Sequence, residues 1–195
     1  AKLSSINSIG TTSIRRKVQI RNINKKVKIR DIRGNVDTRI KKMIQGDFTA
    51  LVLAAAGVKR LGLEEYIVEY LDHDKFLPAP AQGAIAIESL KDNEKINKYL
   101  VNINNEKSYI CTKAERIFMR EIGGGCNMPF GCFAQIHDNI ITISAMIGSI
   151  KNNKIIRQKI TGNTNDYKNL SKKLVKQILL NDGKIIMNEL KNNNE

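Results

Sequence analysis

One stretch of this sequence, Thr49-Ala-Leu-Val-Leu-Ala-Ala-Ala56, is an apolar run that lies between polar segments. A run of this length is typical of a strand that is buried on both faces of a sheet. Two earlier segments, residues 8–12 and 27–32, also have the pattern of strands, and each is followed by a turn and an amphipathic helical pattern. This alternation predicts an α/β domain with a doubly wound parallel sheet.

Basic side chains follow each of the three predicted strands. They are Arg15 and Arg16 after the first strand, Arg33 and Arg39 after the second, and Lys59 and Arg60 after the third. Ligands of such sheets bind beyond the carboxyl ends of the strands. Because a guanidinium can form two parallel hydrogen bonds with a carboxylate or phosphate, several of them in one crevice predict a site for a multiply charged anion.

The second half of the sequence has a different pattern. A helix is predicted over residues 107–122, and alternating strands over residues 133–136, 140–147 and 155–160, with amphipathic helices at 170–180 and 185–190. These elements predict a small α+β domain with a three-stranded antiparallel sheet. Between the halves, a proline-containing segment precedes a predicted strand at 84–87 and a helix at 92–101. A further helix is predicted to extend to Tyr70.

A glycine-rich stretch follows the helix over 107–122 and reads Glu121-Ile-Gly-Gly-Gly-Cys-Asn-Met-Pro-Phe-Gly131. Glycines let a ligand approach the main chain closely, so Cys126 could present its sulfur to such a ligand. The alternative is a helix C-cap with an incidental buried cysteine. Taken by itself, this stretch favours the alternative.

The composition limits the class of protein. The formal net charge is +14, which raises nucleic acid as a partner, but no pattern of a dedicated nucleic-acid module is present. The three cysteines form neither a CxxC pair nor an even set, which indicates free thiols in a reducing compartment. No apolar run approaches the ~20 residues of a membrane span, and no signal peptide opens the chain. The chain begins at Ala1 rather than Met, which suggests a piece of a longer protein.

Five motifs, in order and with matching spacing, resemble the porphobilinogen deaminase (hydroxymethylbilane synthase) family over nearly the whole chain. They are Gly10-Thr-Thr-Ser-Ile-Arg-Arg16, Arg33-Gly-Asn-Val-Asp-Thr-Arg39, Leu53-Ala-Ala-Ala-Gly-Val-Lys-Arg-Leu-Gly-Leu63, Leu77-Pro-Ala-Pro-Ala-Gln-Gly83 and Gly123-Gly-Gly-Cys126. The resemblance implies a cytoplasmic transferase of haem biosynthesis. Such an enzyme joins four porphobilinogen molecules into hydroxymethylbilane and releases ammonia.

The resemblance also implies the site. A dipyrromethane cofactor would be held by a thioether to Cys126, and the family's carboxylate-binding arginines match five positions of this chain. The implied cofactor-binding residues are Cys126, Ser13, Arg15, Arg16, Arg33, Arg39, Arg60, Gly57 and Gln82. No metal is implied. Ala81 stands where the family usually has glycine, a mild change if the backbone angles there are ordinary.

The family's N-terminal domain, which carries the catalytic aspartate, matches nothing in this chain, so no catalytic residue is assigned. The expected domains are an α/β cofactor- and substrate-binding domain (1–83), a crossover strand and helix that the family places in the missing domain (84–105), and an α+β domain with the cofactor cysteine (106–195). The first domain is expected to be periplasmic-binding-protein-like. The expected partners are porphobilinogen and the missing N-terminal domain, without nucleic acid or membrane. The family is usually monomeric, whereas this chain could self-associate.

Two other hypotheses stay open at this point. One is a non-catalytic module that binds an anionic small molecule, and the other is a basic nucleic-acid binder. A covalent adduct on Cys126 would favour the enzyme, whereas steep salt-dependent binding to arbitrary DNA would favour the nucleic-acid binder.

Overall fold

The computed structural model of the protein describes residues 3–123 and 128–191. A parallel sheet forms the first part of the protein. Its strands are β1 (Ser8–Gly10), β2 (Lys28–Arg30) and β3 (Ala50–Leu51), in the order β2-β1-β3. Helices α1 (Ile14–Ile23) and α2 (Val36–Ile44) connect the strands, and α3 (Ala55–Arg60) follows β3. The prediction of a parallel α/β sheet is confirmed.

An antiparallel sheet forms the second part. Its strands are β4 (Phe130–His137), β5 (Ile140–Gly148) and β6 (Ile155–Asn163), and β5 lies between the other two. The turns place Asp138 and Asn153 at positive φ, a conformation that aspartate and asparagine tolerate better than most residues. The predicted three-stranded antiparallel sheet is therefore confirmed.

Helices cover one face of the antiparallel sheet. They are α5 (Glu106–Glu121) and α6 (Tyr167–Ile178), followed by a π-helical segment (Leu179–Gly183) and α7 (Lys184–Lys191). Alternate residues of the strands, such as Ile141 and Ile143 on β5, pack with Phe118 and Leu174 of the helices in one buried cluster. This alternation is the expected pattern of a sheet with one face on the core.

Helix α1 joins the two parts. Ile20 packs into the core of the parallel sheet with Ile9 and Phe76. Val18, two residues earlier in the helix, lies against β5, where a Cβ added to Gly148 would stand 2.5 Å from the Cγ1 atom of Val18. The sheet of the second part therefore rests directly on the helix that opens the first.

Three predictions about local structure are wrong. Residues 84–87 form no strand, and the side chain of Ile85 is 94% exposed, because neither sheet offers this segment a partner strand. The helix expected to reach Tyr70 is a short 3₁₀ helix, Glu64–Tyr66. The strand expected over residues 49–56 covers only Ala50–Leu51, since the alanines that follow begin α3.

The connection between the two parts contains α4 (Glu94–Ile103), which confirms the predicted helix at 92–101. Asn93 caps it by accepting a hydrogen bond from the backbone N–H of Ile96. No residue of α4 is buried. Within the described residues, no helix is both long enough and apolar enough to cross a bilayer.

Candidate functional site

A cavity of about 540 Å³ lies beside the carboxyl end of the parallel sheet. Most of its wall is apolar and comes from the β3–α3 region and from the segment after the 3₁₀ helix. Arg15, Arg16, Glu69 and Gln82 are among its polar lining residues. Its volume falls within the roughly 300–1,000 Å³ that is usual for small-molecule sites.

The start of α1 fixes the position of the two arginines. The backbone N–H of Thr11, just after β1, donates to the carbonyl of Arg30 at 2.9 Å and so extends the pairing with β2. Ser13 then caps the helix, since its Oγ accepts a hydrogen bond from the N–H of Arg16 at 3.4 Å. The first turn of the helix therefore presents both guanidiniums at the edge of the sheet.

Arg15 is only 7% exposed and holds the segment that leads out of the first part. Its Nη1 donates to the carbonyl of Leu77 at 2.6 Å, and its Nη2 donates to Gln82 Oε1 at 3.4 Å. Burial, with a smaller contribution from the charge of Arg16, lowers the pKa of Arg15 to about 10. A positive charge is therefore held where solvation is poor.

Arg16 and Arg39 bring further positive charge to the same region. Arg16 Nη1 donates to the carbonyl of Val52 at 2.5 Å, and Arg39 Nε donates to the carbonyl of Gly34 at 2.7 Å. Burial first, and the charge of Arg39 second, lower the pKa of Arg16. Among residues 3–123 and 128–191, neither of these arginines nor Arg15 forms an ion pair with a carboxylate.

Several described residues that the family resemblance implies do not line this cavity. Arg33 and Arg60 are exposed and are not among the lining residues. Gly57 lies in α3, where an added Cβ would make an ordinary 3.6 Å contact with Val36. Cys126 falls outside the described residues.

The segment over residues 77–83 forms a tight turn at the edge of the cavity. The N–H of Gln82 donates to the carbonyl of Ala79 at 3.1 Å, which closes Ala79-Pro80-Ala81-Gln82 as a β-turn. Ala81 has φ 60°, and a type II turn requires positive φ at this third position. The condition under which the change from glycine would be mild is therefore not met, and the glycine usual in the family fits this conformation with less strain.

Sequence reasoning missed three residues that hold the longer segment over residues 74–83. Gln19 is fully buried. Its Nε2 donates a hydrogen bond to the carbonyl of Leu77 at 3.0 Å, and its Oε1 accepts one from the N–H of Leu77 at 2.8 Å. Arg157 on β6 donates to the carbonyls of Asp74 and Lys75 at 3.2 and 2.7 Å.

The third missed residue is Glu115 on α5. Its carboxylate accepts hydrogen bonds from the N–H groups of Ala81, at 2.5 Å, and Ala134, at 2.8 Å. The sequence did contain a signal, because Glu115 lies on the same helical stripe as Phe118 and Ile122, which are buried. A carboxylate on a buried stripe needs a hydrogen-bonding partner.

Two family models match this chain in succession. Residues 1–98 match the model described as "Porphobilinogen deaminase, dipyromethane cofactor binding domain". The chain belongs to the porphobilinogen deaminase family. Residues 109–180 match the C-terminal domain of the same family, which agrees with the change of architecture between the two sheets.

Curated relatives named porphobilinogen deaminase support this membership. The protein of Clostridium perfringens (strain SM101) is 43% identical over 172 residues, which are 88% of this chain and 58% of the relative. The protein of Coxiella burnetii (strain CbuG_Q212) is 39% identical over 94% of this chain and 60% of the relative. The protein of Syntrophus aciditrophicus is 35% identical over 93% of this chain and 60% of the relative. The chain thus spans about 60% of the length of these members of the porphobilinogen deaminase family.

Proposed function

We propose that this chain is the cofactor-binding and C-terminal portion of a porphobilinogen deaminase. The complete enzyme would condense porphobilinogen into hydroxymethylbilane, with release of ammonia, in tetrapyrrole and haem biosynthesis. The two successive family matches support this function.

One observation of the structure carries the proposal. Arg15 and Arg16 line the cavity, the charge of Arg39 reaches Arg16, and none of the three has a carboxylate partner among the residues described. Holding such charges together in a poorly solvated place is unfavourable unless an anion compensates them. Porphobilinogen and each pyrrole unit derived from it carry two carboxylates, which suit guanidiniums that can each form two hydrogen bonds.

The dipyrromethane cofactor fits the residues that are described. The guanidiniums of Arg15 and Arg16 would hold its carboxylates, and the apolar wall around Leu51 and Val58 would contact its rings. Gln82 lines the same cavity and would add a polar contact. When bound, the cofactor supplies the pyrrole to which new pyrrole units are joined. We propose Cys126 as its attachment point, on the basis of the glycine-flanked motif alone.

The remaining family arginines have a less direct role in this proposal. Arg33 and Arg60 are exposed, so we propose that they bind carboxylates of the growing chain of pyrrole units outside the cavity and do not contact the cofactor within it. Ser13 would act mainly by capping α1 and so orienting Arg15 and Arg16. Gly57 faces Val36 of α2 at an ordinary contact distance, so no role in the site is proposed for it.

The finer description of the fold is also a proposal. The strand order β2-β1-β3 with parallel pairing is compatible with a doubly wound, periplasmic-binding-protein-like domain over residues 1–83. Residues 84–105 would pack against the part of the enzyme that this chain does not match, and 106–195 would form the C-terminal domain. The exposed apolar side chains of 84–103 support this division.

A cytoplasmic location completes the proposal. Cys111 and Cys132 are free thiols, which suits a reducing compartment. We propose porphobilinogen and the remainder of the enzyme as the partners, without nucleic acid or membrane.

Mass spectrometry of the intact chain tests the proposal. The chain should carry a covalent adduct with the mass of a dipyrromethane when it is purified from cells that make porphobilinogen. Cys126→Ala should abolish the adduct, and Cys111→Ser, a matched change of a half-buried thiol, should retain it. An adduct that persists in Cys126→Ala would refute the attachment point. If the thiol of Cys126 is unmodified and the chain still binds anions, the non-catalytic binding module is favoured instead.

A further inference from the structure

Glu115 belongs to the second part of the protein but bonds to the segment that borders the cavity of the first. It is 5% exposed, and its two carboxylate oxygens accept hydrogen bonds from different elements. Oε1 accepts from the N–H of Ala134 on β4 at 2.8 Å, and Oε2 accepts from the N–H of Ala81 at 2.5 Å. Glu115 thus ties the turn at 79–82 to the antiparallel sheet.

The residue that Glu115 holds is the strained one of the turn. Ala81 has φ 60°, which is unfavourable for a residue with a Cβ. Such a conformation persists when surrounding contacts determine it, and the hydrogen bond to Glu115 is such a contact. Without that bond, the N–H of Ala81 would lose its partner and the turn would lose a restraint.

The constrained turn orients the next residue, Gln82, toward the arginine site, which Arg15 and Arg16 form in the wall of the cavity. Gln82 Oε1 accepts from Arg15 Nη2 at 3.4 Å and from the N–H of Ala79 at 3.3 Å. Arg15 Nη1 also donates to the carbonyl of Leu77, at the start of the same segment. A continuous series of contacts therefore runs from Glu115 through Ala81 and Gln82 to Arg15.

The start of this segment is fixed independently of Glu115. The N–H of Cys132 on β4 donates to the carbonyl of Pro78 at 3.2 Å. The backbones come so close that a Cβ added to Gly131 would lie 2.9 Å from the Cβ of Leu77. Residues 77–78 would therefore stay in place without Glu115, whereas residues 81–82 would be released.

We propose that Glu115 is a positioning residue, which holds Ala81 and thereby sets Gln82 and Arg15 in the arrangement that binds a carboxylate. The carboxylate-binding half of this inference rests on the proposed function, whereas the positioning of the turn does not. Glu115 itself would not contact the ligand, because it is not among the residues that line the cavity.

The experiment compares Glu115→Ala and Glu115→Gln with Glu106→Gln, a matched change of an exposed residue on the same helix. Hydrogen exchange measured by mass spectrometry reports on peptides covering residues 79–83 and, as an internal reference, on β5. We expect Glu115→Ala to speed exchange over 79–83 by roughly tenfold, because the half-buried N–H of Ala81 loses its hydrogen-bond partner. Glu115→Gln keeps one acceptor oxygen and should give a smaller increase. Glu106→Gln should give none.

Two exchange results would overturn the proposal. One is unchanged exchange over 79–83 in Glu115→Ala, and the other is an equal increase in β5, which would indicate general destabilisation instead of a released turn. Calorimetric titration with porphobilinogen supplies the second readout, and Glu115→Ala should weaken binding by roughly tenfold. If binding is unchanged while the turn is released, the link to Arg15 is wrong. If the unmodified chain binds no porphobilinogen, the proposed function fails, while the exchange result still decides the positioning role.

Discussion

At the residue scale, two opposing influences set the pKa of Glu115. Burial raises the pKa of its carboxyl to about 7 from an ordinary 4.5, and the hydrogen bonds from Ala81 and Ala134 partly offset that rise. The folded state therefore holds the proton more tightly than the unfolded state does. The resulting stability is complete below about pH 4.5 and is lost as the pH rises through 7.

This linkage predicts a pH-dependent difference between the chain and Glu115→Gln, in which the group cannot titrate. A pKa raised by this much changes the free energy of unfolding by roughly 3 kcal/mol over the full titration of Glu115. Roughly 2 kcal/mol of this change falls between pH 5 and pH 8. The free energy of unfolding of the chain, relative to that of the variant, should fall by about that amount over this interval. Urea unfolding at several pH values measures it. A difference that is constant with pH, or that rises with it, would show that burial does not dominate.

A second prediction at this scale concerns the conformation of Ala81. Ala81→Gly removes a Cβ from a position at φ 60°, which should stabilise the chain by about 0.5 kcal/mol after the greater flexibility of unfolded glycine is deducted. Ala56→Gly is the matched control. It lies in α3 and should destabilise by about 0.5–1 kcal/mol. The opposite signs are the test, and urea unfolding of both variants gives them. Destabilisation by both changes would contradict the assigned backbone conformation.

At the element scale, the sequence predicted those elements whose local pattern agrees with their packing. The strands of the antiparallel sheet and helices α5 and α6 alternate apolar and polar residues as their buried faces require. The strand predicted at residues 84–87 does not form, because this apolar segment pairs with no strand in either sheet of the described residues. A strand needs neighbours for its backbone hydrogen bonds, and local sequence does not supply them.

The candidate site was predicted to a similar extent. The position of Arg15 and Arg16 after β1 follows from the strand–helix pattern. The contacts of Gln19, Glu115 and Arg157 do not, because they join residues that are far apart in the sequence. Only the general rule that buried polar groups need partners could have singled out Glu115.

The segment over residues 84–103 leads to a prediction of its own. Several large apolar side chains are exposed there, including Ile85 at 94%, Leu90 at 78% and Val101 at 73%. Apolar surface of this kind promotes association. We expect the chain alone to self-associate reversibly, and Ile85→Lys combined with Leu90→Lys should shift it toward monomer. Lys151→Glu, an exposed change in the turn before β6, is the control and should have little effect. Sedimentation equilibrium that finds only monomer for the unchanged chain would refute this prediction.

At the scale of the whole molecule, the arginine site depends on both sheets. Arg15 and Arg16 come from the helix that follows β1, while the turn that carries Gln82 is held by the antiparallel sheet through Glu115. The net charge of +14 is spread over many lysines. What distinguishes the arginine site is therefore burial and proximity. The affinity of the protein for a small anion should therefore depend on individual arginines far more than on the overall charge.

The most direct test of the carboxylate site is calorimetric titration of porphobilinogen into this chain, Arg16→Lys and Arg116→Lys. Arg116 is exposed on α5 and serves as the control for loss of a guanidinium elsewhere. We predict that Arg16→Lys weakens binding at least about tenfold, because an ammonium cannot form the paired hydrogen bonds of a guanidinium with a carboxylate. Arg116→Lys should bind like the unchanged chain. Equal affinities for all three proteins would contradict the assignment of Arg15 and Arg16 as the carboxylate site.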